Sequence, residues 1–284
     1  MSTDFNDKPL SFDQFDGKFD DAVKAKDKLE VKEYAKALAS FIVSCDTPMT
    51  VGVQGDWGIG KTSMLNTVKA FLQNDNKLPQ RTGMVWINTW HYSLFGQDEY
   101  LGLSVIKGIL EQLKVEFNIK ENEPVMAKTL GYAKNLIKNA QISVGGVSLS
   151  AKNVSYDPQN ISFEDVSGQM KGFKEALENL ILTITTNDAK VNRIVFFIDD
   201  LDRVKPVKAL ELLEVLKNFF DIENCVFVLA VDYEVVQMGM EQKYGVDLQK
   251  KSGKSFFDKI IQLPFIMPST SYNLAKYIQT LLNE

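Results

Sequence analysis

A chain of 284 residues is long enough for a sizeable core, and 45% hydrophobic with 24% charged residues is a globular balance rather than a disordered or fibrous one. The net charge of −5 argues against a general affinity for nucleic acid or anionic membranes. With only two cysteines, Cys45 and Cys225, both in apolar surroundings and expected to be buried thiols, and one histidine, His91, a disulfide framework, an imidazole metal site and a histidine triad are excluded.

Residues 1–20 are polar with scattered phenylalanines at Phe5, Phe12, Phe15 and Phe19, so 1–26 read as an arm ahead of a domain over 27–284. The polar N-terminus lacks the apolar stretch of a secretory signal, and no apolar run nears the roughly 18 residues of a membrane span. A cytoplasmic location with no membrane partner is the expectation. Val31, Tyr34, Ala35, Leu38, Phe41 and Ile42 recur at helical spacing, predicting a helix over 29–44. A strand over 49–53 leads into GDWGIGKT (55–62) and a helix over 61–74. MVWIN (84–88) reads as a second strand and 100–117 as an amphipathic helix. The composition then turns polar over 118–160, with a helix expected near 126–139. SVGGVSLSAKNVSYDPQN follows, and its alternation and Gly-Gly pair suggest a hairpin or a loose insert.

Ser162, with Asp165 three residues on, has capping spacing for a long helix reaching about 186. RIVFFIDDLDR (193–203) is a buried strand ending in acids, and Pro206 suits the first turn of the next helix. CVFVLAVD is another buried strand, after which Asp232 could cap a helix that stops near Gly245. IIQLPFIMP supplies a last short strand and SYNLAKYIQTLLNE a final helix. Strands apolar throughout, alternating with helices, predict an α/β fold: a mostly parallel central sheet covered on both faces, α/β/α in three layers.

The spacing G-x-x-x-x-G-K-T between a strand and a helix has a chemical reason at each fixed position. Glycines let the backbone wrap a phosphate, Lys61 can reach the β- and γ-phosphates, and the Thr62 hydroxyl can ligate Mg²⁺. The expected nucleotide cradle is therefore Gly55, Asp56, Trp57, Gly58, Ile59, Gly60, Lys61, Thr62 and Ser63. Trp57 is expected to pack on the following helix, or else to lie near the nucleotide. Hydrolysis also needs a metal holder and a group that places water. Asp199 is the expected Mg²⁺ ligand and Asp200 the residue that orients or activates water.

GDWGIGKTS, INTW, FFIDDLDR, VFVLAVD and FFDKIIQLPFIMP, in this order, resemble the KAP family of P-loop NTPases from about residue 27 to the C-terminus. The resemblance implies the additional-strand branch related to AAA+ and STAND proteins, with a further strand between the loop-bearing and acid-bearing strands, and ATP as the nucleotide. It assigns Gly55, Gly58, Gly60, Lys61 and Thr62 to phosphate and metal, Asp199 to Mg²⁺, and Asp200 to a place where many relatives have glutamate. Two departures stand out. Many members carry two transmembrane helices where this chain has only 118–160, and members usually continue into helical segments beyond the point where this chain ends. The expectation is a compact member, or a fragment lacking a C-terminal lid.

Arginine occurs only as Arg81, Arg193 and Arg203. Arg203, next to the acids, is the in-chain candidate for stabilising transition-state charge; its alternative task is pairing with Asp202 or Asp199. A finger from a neighbouring subunit is also open, whereas Arg193 begins its strand at the far end. Asp232 stands where related ATPases sense the γ-phosphate, and His91 is expected to pack or hydrogen-bond. The lysines of 249–254 read as a solvated loop. The expected function is Mg²⁺-dependent ATP hydrolysis driving a conformational or oligomeric switch, with a homo-oligomer or an effector protein as partner. The resemblance extends this to bacterial defence against phage. A non-hydrolysing ATP-bound switch is one alternative; a small-molecule kinase is another, although no arginine-rich lid is present. A GTPase is disfavoured because no N-K-x-D motif occurs.

Overall fold

The computed structural model describes residues 31–74, 82–93, 101–144, 163–187, 191–245 and 257–268. In chain order the elements are α1 (Lys32–Ser44), β1 (Met49–Gln54), α2 (Lys61–Asn74), β2 (Thr82–Asn88), α3 (Thr89–Ser93), α4 (Leu101–Glu116), α5 (Pro124–Val144), α6 (Phe163–Asn187), β3 (Arg193–Asp199), a 3-10 turn (Leu201–Arg203), α7 (Pro206–Lys217), β4 (Cys225–Val231), α8 (Tyr233–Tyr244) and β5 (Leu263–Ile266). The five strands lie in the order β2-β3-β4-β1-β5, every pair parallel. So β4 separates the loop-bearing β1 from the acid-bearing β3, the arrangement that the resemblance implied.

The two central strands explain the layering. In β3, Ile194, Phe196 and Ile198 face one core while Val195 and Phe197 face the other. In β4, Cys225, Phe227, Leu229 and Val231 alternate in the same way with Val226, Val228 and Ala230. A period of two with both sets apolar needs cover on both faces. The cover on one face is α1 and α2, through Leu38, Ile42, Met64, Val68 and Phe71; on the other it is α4 to α8. Aromatic contacts join the strands across each face, with Phe196 stacked on Phe227 (4.9 Å) and Trp86 on Phe197 (5.3 Å).

The polar stretch after α4 holds more helix than its composition predicts. Instead of a helix near 126–139, α5 runs from Pro124 to Val144 and packs on α6. Met126 is fully buried, and the Thr129 hydroxyl, also buried, donates to Val125 O (2.8 Å) and Ala176 O (3.2 Å). Its buried positions 126, 129, 133 and 136 include a threonine and an alanine, which weakens the apolar stripe. The short α3 was not expected from the sequence either. Cys225 is buried as expected but Cys45 only partly, and both are free thiols. The arm 1–26, Ser162, the lysines of 249–254, the final helix and nearly all of the suggested hairpin lie outside the described residues. Among the described residues no helix is long and apolar enough to cross a membrane.

Candidate functional site

Register brings the ends of four strands to one edge of the sheet. Asn88 of β2 pairs with Asp199 of β3, Ile198 with Leu229 of β4, and Gln54 of β1 with Val231 of β4. In open parallel sheets ligands bind beyond these carboxyl ends. The loop of residues 55–62 leaves β1 at this edge, anchored by the Gly55 N–H donating to the Val231 carbonyl (3.3 Å). Gly58 and Gly60 have φ of 82° and 97°, backbone conformations that L side chains rarely adopt. Such positions just ahead of a helix N-terminus let backbone N–H groups converge on an anion.

Lys61 opens α2 and turns back under the loop. Its ammonium donates to Gly55 O (2.8 Å) and Asp56 O (2.9 Å) and pairs with Asp202 Oδ2 (2.7 Å). The Thr62 hydroxyl donates to Asp199 Oδ1 (3.1 Å), joining residues 137 positions apart in the chain. A hydroxyl and a carboxylate oxygen at this separation are hard donors, the kind Mg²⁺ takes. Among the described residues no group of three or more His, Cys, Asp or Glu could hold a metal. The hydroxyl and carboxylate oxygens of Thr62 and Asp199 fit the hard-donor preference of Mg²⁺.

Asp199 is 2% exposed, and burial raises its carboxyl pKa to about 6. The neighbouring charges of Asp200 and Asp202 push it the same way, against hydrogen bonds from the Asp200 N–H and the Thr62 hydroxyl. Asp200 has φ 58°, left-handed, which an aspartate tolerates better than most residues. Its carboxylate accepts from Asn88 Nδ2 (2.6 Å) and pairs with Arg203 Nε (2.6 Å). Arg203 therefore pairs with Asp200, and neither Asp202 nor Asp199 is its partner; its guanidinium also lies over the Trp90 ring at 5.3 Å.

Several residues at the site were not assigned from sequence. Asn88 is oriented by α3, because its Oδ1 accepts the His91 backbone N–H (3.2 Å), which directs Nδ2 at Asp200. The Thr89 hydroxyl donates to the Asp199 carbonyl (2.9 Å). Asp202 and Trp90 complete the group. The usable signal was a polar pair, Asn-Thr, ending an apolar strand, since in a parallel sheet it must meet the next strand's end. Two expectations about aromatic packing are corrected. Trp57 does not pack on α2 but stands 74% exposed, and the His91 side chain is exposed on α3. Asp232 caps α8, its carboxylate accepting the Glu234 N–H (2.9 Å).

The family described as KAP family P-loop domain matches residues 31–284. A relative, the phage T7 exclusion protein of Escherichia coli (strain K12), is 24% identical over 229 residues, a stretch that takes in 77% of this chain and 30% of that protein. Among solved structures, the Aeropyrum pernix ORC2 protein in ADPNP-ADP complexes aligns over 93% of this chain and 50% of its own, at 13% identity and a TM-score of 0.37.

Proposed function

This chain belongs to the KAP family P-loop domain, and we propose that it binds ATP with Mg²⁺ at the loop of residues 55–62 and hydrolyses it to drive a switch. The observation that carries the proposal is the contact of Thr62 with Asp199 beside a buried Lys61, since it joins metal-ligand chemistry to a phosphate-binding loop. In this reading the amides at Gly58, Gly60 and Lys61, with Asp56, Trp57, Ile59 and Ser63 around them, cradle phosphate. Lys61 neutralises phosphate charge, and Thr62 and Asp199 hold the cation. When bound, Mg²⁺ would supply positive charge that offsets the charge developing on the phosphate.

Asp200 is the candidate to orient and deprotonate the attacking water, and Asn88 is the positioning residue that aims it. Arg203 is tied to Asp200 through Nε and remains the in-chain candidate to meet phosphate charge. Asp232 follows Val231, whose carbonyl anchors Gly55, and is the candidate to sense the γ-phosphate while capping α8. The Asp200–Arg203 pair also favours a second reading, in which ATP binds but is cleaved only when a partner or a second copy draws Arg203 away.

The printed name of the Escherichia coli relative supports a role in excluding phage; this chain spans 30% of that protein, so the role stays a proposal. The test is phosphate release from Mg·ATP by wild type, Lys61→Ala and Asp200→Asn, with nucleotide binding followed in parallel. Hydrolysis requires turnover by wild type, loss of binding in Lys61→Ala, and retained binding with at least about a hundredfold slower release in Asp200→Asn. Tight binding by wild type without release would select the second reading.

A further inference from the structure

The Lys61 ammonium has three N–H groups, and each has an acceptor: two loop carbonyls and the Asp202 carboxylate. The carbonyls belong to the loop itself and are part of its shape. Asp202 does not; it arrives from the turn after β3. Both side chains of the pair are 6% exposed, so this is an ion pair out of water, where losing one partner leaves the other charge poorly compensated. A phosphate oxygen that takes Lys61 would replace one negative oxygen by another.

Asp202 is also placed to let go. It lies between two buried anchors, Leu201 (1% exposed) and Val204 (4%), so its side chain can rotate away while the turn stays seated. The next residue, Arg203, holds Asp200. One short turn therefore engages both the loop lysine and the candidate base.

We propose that Asp202 is a phosphate surrogate: its carboxylate occupies Lys61 until a nucleotide triphosphate displaces it, and the strength of this contact sets nucleotide affinity. The inference rests on the reading of the loop as an ATP site. Competition of this kind lowers apparent affinity by the fraction of molecules in which Lys61 is engaged. Removing the carboxylate charge should therefore tighten binding, which is opposite to the effect of damaging a supporting residue.

The experiment compares equilibrium binding of Mg·ATP, and separately of inorganic triphosphate, to wild type and Asp202→Asn. The expected result is about tenfold tighter binding of both ligands by Asp202→Asn. The gain should persist at about 0.5 M salt, because a buried contact escapes the screening that erases a surface-field effect. Side-chain carboxyl NMR on wild type supplies a second measurement that needs no variant to fold: Mg·ATP should shift the Asp202 carboxyl resonance. Equal or weaker binding by Asp202→Asn, a gain that vanishes in salt, or an Asp202 carboxyl resonance unmoved by bound ATP would overturn the surrogate role and leave the ATP site standing. If neither protein binds nucleotide, the ATP reading and the surrogate role fall together.

Discussion

Asp199 combines deep burial, two nearby carboxylates and the Thr62 hydroxyl, and its ionisation has a measurable consequence for stability. Its pKa is raised from 3.8 to about 6, so between those values the folded state binds more protons than the unfolded one. The sign follows by linkage: the stability associated with the protonated carboxyl is fully present below pH 3.8 and lost as pH rises through about 6. In Asp199→Asn the amide can keep the Thr62 hydrogen bond without a charge to bury. With chelator present and no nucleotide, this variant should exceed wild type by about 2–3 kcal/mol above pH 6. The margin should shrink on acidification and be nearly gone by about pH 4. Urea unfolding of the two proteins across this range is the measurement, and a margin that does not change with pH would contradict the placement of Asp199.

At the scale of elements, α7 and α8 meet by close backbone approach. A Cβ at Gly239 of α8 would press on the carbonyl of Pro206, the first residue of α7, and backbone cannot swing aside as a flexible side chain can. Gly239→Ala should lower stability by about 1–3 kcal/mol with an unchanged urea m-value. An unaltered urea midpoint would mean that the helices sit further apart. The elements that were legible in sequence share a strong pattern. β3 and β4 are apolar at every position that faces a core, and α2 follows the loop with buried residues at helical spacing. What was hard to read has weak local patterning: α5 hides its inward face behind Thr129 and Ala133, and α3 is only five residues long. Propensity summed over so short a segment carries little information.

Across the whole molecule, the site is an outcome of topology. The strand order sets β3 two places from β1 with β4 between, which brings Thr62 to Asp199, and places β2 beside β3, which brings Asn88 to Asp200 across 112 positions of chain. The loop itself was legible because its chemistry is local, written in consecutive residues. The Asp202 contact with Lys61 and the Asn88 contact with Asp200 were not, because they depend on how separate strand ends meet. The same topology gathers the loop, Asp199 and Asp200 at one edge of the sheet, and we propose that this edge takes Mg·ATP. The most direct measurement is titration calorimetry of ATP into the full chain, with Mg²⁺ and with EDTA, for wild type and Lys61→Ala. Wild type should show saturable binding that weakens at least about tenfold without the cation and is lost in Lys61→Ala. Binding that Lys61→Ala retains at wild-type strength would contradict the proposal.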